Sequence, residues 1–506
     1  MAEAEQAPSL RAATVVVLVG VAALAFAARI HQTWRVGLTG LGNYDDGVDY
    51  ASAVGLAHGL LPYRDFLFLH PPGITVLLLP FAALGRVVGD RDALAGARAA
   101  FVLLGALNAG LVVATLRRHG PVAAAVGGTA YALFPPAVYV EQTTMLEGPQ
   151  ATCLLLALLL LSRQRRTAWS SVPLLLAGAA LGVACGIKIW GVVPAAVLIG
   201  WALVSLGLRA DLRVAAGVTA GATAVCLPFF LAAPGSMWRE VVVDQLQRGE
   251  TPVLLRSRLT EILGASGFAT GSDAGVLVLA AVLVGLAVVL ACRDRTGRLA
   301  VVTLGATIVL LCLTPSWFRH YAALAGPALA TALGAGTATA LRSMRRTSAR
   351  AVVAAVLLAG LAAYAGPTFR SHFGAAYPGV ALHAALVDTR GCVTADDPAT
   401  LILSDTLGRN LDRGCPLVID LGGYSYDLRS ATAAPVARAA NGAWQRYALG
   451  YLGRGDLTVV TRFADHPGFA RSTSRQVRDW PVVARIGTVR VRAPTATLPA
   501  SRRSGG

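Results

Sequence analysis

A chain of 506 residues that is 55% hydrophobic, only 14% charged and +0.60 in mean hydropathy is not a water-soluble globular protein. Its formal charge of +17 is not a nucleic-acid footprint, because many arginines sit in short loops between apolar runs, where they set membrane topology. Ala, Gly, Val, Leu and Arg dominate and Lys188 is the single lysine, a composition that points to a high-GC bacterial genome.

The first apolar run, Ala13 to Ile30, is too long and unbroken for a cleaved signal peptide and reads as a retained span. Asn43-Tyr44-Asp45-Asp46-Gly47 follows it. An acidic pair at a membrane surface is costly to desolvate, so it serves as a proton acceptor, a cation site or a substrate clamp, unless it is simply a solvated loop. Next come an amphipathic stretch, Val48 to His58, the run Pro62-Tyr63-Arg64-Asp65-Phe66 and then His70-Pro71-Pro72-Gly73. The apolar run Gly73 to Val88 is ambiguous between crossing and lying along the membrane.

Ten further spans are expected: Ala99–Leu116, Val122–Val140, Ala151–Leu161, Val172–Ile187, Val192–Leu208, Val214–Ala233, Ala274–Ala291, Leu299–Leu313, Ala322–Leu341 and Ala351–Tyr364. The arginine clusters (117–118, 163–166, 209–213, 293–298 and 342–350) all fall inside under two topologies. In one, Gly73–Val88 does not cross, and the aspartate loop and the C-terminal tail are both outside. In the other it crosses, and Asp45 and Asp46 become cytoplasmic while the tail stays outside. Arg29 and Arg35 favour the second, and charge alone leaves both open.

Four groups along the bundle carry candidate chemistry. Arg98 opens a span. Glu147, in the loop Glu141 to Pro149, is a second acid or a helix N-terminal charge ahead of Pro149. Lys188 lies between two apolar runs and must be paired or face a polar cavity. It is a counter-charge for an anion such as a lipid phosphate, a partner of a protein carboxylate, or a snorkelling helix-end lysine. Gly182 and Gly186 before it would thin the helix and leave room for a ligand. Trp317-Phe318-Arg319-His320-Tyr321 suits a phosphate headgroup or an interfacial aromatic belt. Trp238 to Glu250 is an amphipathic segment that covers a site or floats on the interface.

From Pro367 the apolar runs shorten to strand length at Leu401–Ser404, Leu417–Leu421, Leu457–Thr461 and Val482–Val491. This is expected to be a small α/β domain over 367–492, followed by a disordered tail over 493–506. Cys392 and Cys415, the two cysteines of this exported domain, are a disulfide candidate. No Cys or His spacing suggests a zinc site, and no nucleotide motif is present.

The acidic pair after the first span, the Pro-Tyr-Arg-Asp-Phe run and the Pro-Pro helix ending near Gly85 resemble the polytopic GT-C glycosyltransferases. These include protein O-mannosyltransferases, aminoarabinose transferases and actinobacterial mannosyl- and arabinosyltransferases. The resemblance runs from Tyr44 to Gly191, with an echo at His320-Tyr321. It implies an all-α membrane bundle of about 11 transmembrane helices plus a re-entrant or juxtamembrane helix, with module 1–366 ahead of the extracytoplasmic α/β domain. It favours the topology with Gly73–Val88 in the first outside loop.

The implied activity is transfer of a monosaccharide from a polyprenyl-phosphate donor to a cell-envelope glycan, lipid or protein at the outer face of the plasma membrane. Asp45 or Asp46 would be the base, Glu147 the second acid, and Lys188 the donor-phosphate contact. Tyr63, Arg64, Asp65 and His70 would meet substrate, with His70 standing where those relatives often carry Lys or Arg. The chemistry is coherent: Lys188, Arg98, His320, Arg319 and Tyr321 can stabilise the leaving phosphate while an aspartate takes the acceptor proton. No cofactor is required, although the Asp-Asp pair could hold a divalent cation. The competing classes are a transporter or lipid flippase, against which no inverted repeat is found, and a non-catalytic envelope assembly protein.

Overall fold

The computed structural model describes residues 2–249, 253–265, 274–370, 374–428, 436–463 and 468–494. The chain divides into two compact units. Most of the expected tail, 495–506, and Glu250 of the amphipathic segment lie outside the described residues.

The first unit comprises Met1–Arg35, Arg98–Pro228 and Glu250–Phe373 and is helical. Among the described residues of the whole chain, seven helices are long and apolar enough to cross a membrane, and Gly73–Val88, Glu147–Ser162, Ser171–Ile187 and Ala281–Ala291 are shorter apolar helices. The outward faces explain why this unit needs lipid. Val15, Val19, Leu103, Val204, Val282 and Val352 are exposed, a burden that water would not tolerate on so many neighbouring helices. The inward faces build two cores, one around Val113, Tyr131, Leu155, Leu304 and Leu329, the other around Leu158, Leu174, Leu181 and Leu198.

Two expectations change here. The run Val122–Val140 is not one helix: Pro121–Ala132 stops, and Pro135–Val140 starts afresh. Pro135 and Pro136 lack amide donors, and Pro135 disfavours helical backbone at Phe134 before it. Nor do Gly182 and Gly186 make room for a ligand. A Cβ on Gly182 would stand 2.2 Å from the Val218 carbonyl oxygen, and one on Gly186 would stand 2.8 Å from the Val225 side chain. These glycines let Ser171–Ile187 meet Leu208–Ala232 backbone to backbone.

The second unit gathers Val36–Ala97, Phe229–Gly249 and Gly374–Gly506. It holds the helices Tyr44–Ala57 and Gly73–Val88 and a four-stranded sheet of order β1-β2-β4-β3. Here β1 is Val393–Ala395, β2 Leu457–Val459, β3 Val482–Ile486 and β4 Val489–Arg492. β1 and β2 are parallel (Val393 opposite Leu457), while β4 runs antiparallel to β2 and β3. Trp444, Phe463, Phe469, Val477 and Trp480 form its core.

Leu401–Ser404 is not a strand. It ends the helix Pro398–Leu403, which Asp397 caps by accepting from the Ala399 amide at 2.9 Å and Pro398 starts at the first helical position. Leu417–Leu421 is irregular backbone. Cys392 and Cys415 are disulfide-bonded, with Cα atoms 5.7 Å apart.

One backbone contact bears on the topology. The Leu41 amide donates to Ala375 O at 2.8 Å, and the Ala375 amide donates to Leu41 O at 3.0 Å. The Asp90 carboxylate also accepts from the Gly408 amide (2.8 Å), and Asp405 accepts from the Arg91 amide (2.9 Å). Paired chain segments occupy one side of a bilayer. These bonds therefore speak against the topology that puts the aspartate loop on the opposite side from the tail. Arg29, which favoured it, is not a loop charge: it is fully buried and donates from Nε to Glu141 at 2.9 Å.

Candidate functional site

In the first unit, the sites foreseen at Glu147, Lys188, His320 and Tyr321 come together. Glu147 opens the helix Glu147–Ser162, where a carboxylate is favoured by the helix N-terminus. Lys188 sits at the break between Ser171–Ile187 and the turn Ile189–Gly191, its backbone extended (φ −145°, ψ 130°). That break turns the Lys188 side chain inward, where Nζ donates to Glu147 Oε1. Both side chains are sealed from solvent. His320 Nε2 lies 3.7 Å from the same oxygen, and Nζ lies 4.0 Å above the Tyr321 ring. Glu147 Oε2 is buried with no hydrogen-bond partner among the described residues. The group is thus a buried cation, a carboxylate and an imidazole sharing one oxygen, with one acceptor position unused.

One helical turn away on three elements lies a small, partly open cleft. Gln150 (three residues after Glu147), Ala184 (four before Lys188) and Leu324 (three after Tyr321) line it, together with apolar side chains such as Leu154, Leu181 and Leu310. Arg98 is also buried. Arg319 is different. It is 75% exposed and reaches Glu261 at 3.6 Å, and Glu261 also accepts from Trp317 Nε1 at 2.6 Å. Glu141, by contrast, is saturated by Arg29, Asn108 (2.6 Å) and Tyr131 (2.8 Å) and locks helices together.

In the second unit, Asn43 caps Tyr44–Ala57 by accepting from the Asp45 amide at 3.2 Å. Asp45 and Asp46 therefore occupy the first turn, Asp46 fully buried and Asp45 partly exposed. Tyr63 has a left-handed backbone (φ 67°), and its hydroxyl donates to His70 O at 2.5 Å. Arg64 pairs with Asp65 at 2.8 Å on the surface, and Asp65 also accepts from the Leu61 amide at 2.7 Å. The Arg64 hydrogen bond holds the Asp65 carboxyl below its ordinary range. These three residues shape the loop that ends at His70 and Pro71.

Sequence reading missed two contributors in this unit. The first is Glu240, on a π turn, Arg239–Val243. It accepts from the Phe68 amide at 2.8 Å, while Gln245 donates to Leu69 O, so residues 240–245 strap the same loop. Burial pushes the Glu240 carboxyl up to about 8. The second is the turn Asp396-Asp397-Pro398 with Arg462, whose only sequence signal is a capping pattern. Among the described residues no cluster of three or more His, Cys, Asp and Glu is arranged to hold a metal.

Residues 68–315 match the profile of Glycosyltransferase family 87. Comparison with curated proteins gives no significant match. Among solved structures, the chain is similar to ArnT from Cupriavidus metallidurans in the apo state, with TM-score 0.61 and 16% identity over 96% of this chain and 98% of that one. It is similar to the same protein bound to undecaprenyl phosphate, with TM-score 0.59 and 17% identity over 96% and 98%. It is also similar to the apo Archaeoglobus fulgidus oligosaccharyltransferase, with TM-score 0.56 and 13% identity over 88% and 69%. At such identities the likeness is one of fold. The chain has the GT-C fold, an all-α multi-pass bundle with a small C-terminal sheet. The family match lies across its middle, and the proteins it resembles in fold are membrane proteins of the GT-C type.

Proposed function

We propose that the protein moves one sugar from a polyprenyl-phosphate donor to a cell-envelope glycan, lipid or protein on the outer face of the plasma membrane, the side that also holds the C-terminal unit. The buried Lys188–Glu147–His320 group carries this reading, with a small apolar cleft one turn away. A lipid phosphate needs a desolvated cation at its head and apolar walls for its tail. The ArnT likeness, whose solved complex contains undecaprenyl phosphate, supports the donor class.

In the step itself, the acceptor hydroxyl oxygen attacks the anomeric carbon and the bond from that carbon to the phosphate oxygen breaks. Polyprenyl phosphate leaves with the bonding pair. Lys188, with His320, Tyr321 and Arg98, neutralises the departing phosphate, while Glu147 holds Lys188 in place until the phosphate arrives. Arg319 meets the headgroup from the exposed rim. Asp45 or Asp46 takes the hydroxyl proton, and Tyr63, Arg64, Asp65 and His70 shape the acceptor loop.

Purified full-length protein in nanodiscs, given radiolabelled polyprenyl-phosphate mannose or arabinose and an envelope extract, should release free polyprenyl phosphate and label the extract. Donor consumed by neither route, or donor moved across the bilayer intact, would remove this reading in favour of a transporter or an assembly protein.

A further inference from the structure

The aspartate loop does not hold its own shape. Tyr44, buried beside Asp45, donates from its hydroxyl to Asp420 at 3.0 Å and accepts from the Gly422 amide at 3.1 Å. The Arg462 guanidinium lies 4.2 Å above the Tyr44 ring, and its Nη1 is 4.0 Å from Asp397 Oδ2. Arg462 is itself held from behind, because Asp396 accepts from the amides of Thr461 (2.8 Å), Arg462 (2.9 Å) and Phe463 (2.7 Å). On the next residue but one from Asp45, a Cβ at Gly47 would stand 2.9 Å from the Ala399 nitrogen, whose hydrogen goes to Asp397 Oδ1. The first turn carrying Asp45 and Asp46 is thus pressed between the capping turn of Asp397 and the stacked Arg462. Both come from the C-terminal stretch, more than three hundred positions along the chain.

We infer that Arg462 and Asp397 are positioning residues for Asp45 and Asp46, so that the C-terminal stretch completes the base rather than merely flanking it; this rests on the reading of that pair as proton acceptor. Arg462 does it by fixing the Tyr44 ring, and Asp397 by fixing Arg462 and the Gly47 contact. The arrangement is sensitive to pH. Burial raises the Asp397 carboxyl to about 7; Arg462 opposes this, and Asp396 and Asp46 reinforce it. Tyr44 and Tyr377 are the other titratable groups that face Asp397. Above that pH an ionised Asp397 draws Arg462; below it Arg462 is left to Tyr44.

Hydrogen exchange of the full-length protein in nanodiscs, read on peptides covering 43–57 between pH 5.5 and 8.5, tests this. After correction for intrinsic exchange, wild type should show a several-fold step in protection centred near 7. The step should move to higher pH in Arg462→Gln, because the cation that lowers Asp397 is gone, and vanish in Asp397→Asn. Arg462→Lys should restore the midpoint without the stacking. In the transfer assay, Arg462→Gln should lower kcat on the order of 10²-fold with KM little changed. A wild type without the step, or an Arg462→Gln midpoint unmoved, would overturn the inference. An intact, movable step alongside wild-type kcat in the Asp45→Asn/Asp46→Asn double variant would overturn the assignment of the base instead, so the two failures are read apart.

Discussion

Lys188 and Glu147 are both sealed from water, so removing one strands the other. Lys188→Met should therefore lower stability by about 3–5 kcal/mol, because a buried carboxylate loses its counter-ion. Adding Glu147→Gln to it should recover most of that loss without recovering turnover. Thermal unfolding and donor binding on the three proteins decide: if the double variant binds polyprenyl phosphate like wild type, Lys188 is structural. Asp45→Asn/Asp46→Asn keeps size and most hydrogen bonds and removes the base, so turnover should fall about 10²–10⁴-fold with folding preserved; wild-type turnover would discard both residues. Lys188 was legible in the sequence because one lysine among arginines, between apolar runs, has few places to go. Its partner was not, because Glu147 is 41 positions away and nothing in the local pattern tells a helix-terminal charge from half of a buried pair. Arg462 was equally hidden: among many surface arginines, only the backbone amides gathered by Asp396 distinguish it.

Helices were read well wherever lipid imposes a long apolar run, and less well where backbone chemistry intervenes. The break at Phe134 follows from two prolines inside a run that hydropathy alone joins. The helix at Pro398–Leu403 follows from a cap that outweighs the strand propensity of Leu-Ile-Leu. Two element-scale predictions result. Gly178 and Gly182 on one helix face Gly217 and Gly221 on another, with a Cβ on Gly178 only 2.1 Å from the Val214 carbonyl oxygen. Gly182→Leu should therefore separate the helices and abolish recovery of folded protein in detergent. A monodisperse, wild-type-like gel-filtration peak would contradict that packing.

The Glu240 strap makes a pH prediction with a definite sign. Its folded carboxyl, raised by burial to about 8 from its ordinary 4.5, binds a proton that the unfolded chain has already released. Stability from this group is complete below about pH 4.5 and is lost as pH rises through 8. Glu240→Gln keeps an acceptor for the Phe68 amide and should flatten that decline. Its melting temperature should equal wild type at pH 5 and exceed it at pH 8.5, and equal declines in both proteins would reject the assignment.

At the scale of the whole molecule, composition made the membrane class plain, but no periodic signal announces that residues 36–97, 229–249 and 374–506 form one unit. Their association is carried by backbone pairs such as Leu41 with Ala375 and by carboxylates capping distant amides, as Asp90 does for Gly408. The positive-inside pattern of the arginine clusters then predicts that the aspartate loop and the C-terminal stretch share the outer side. Cysteines at exposed Arg64, exposed Arg446 and exposed Arg346 test this in a background without the free cysteines at 153, 185, 226, 292 and 312. In intact cells a membrane-impermeant maleimide should label positions 64 and 446 and spare 346 until the cells are broken. Labelling of 446 but not 64 would separate segments that the structure pairs and so refute the second unit itself. Labelling of 346 alone would keep the unit but turn the protein over, placing the base and its acceptor in the cytoplasm.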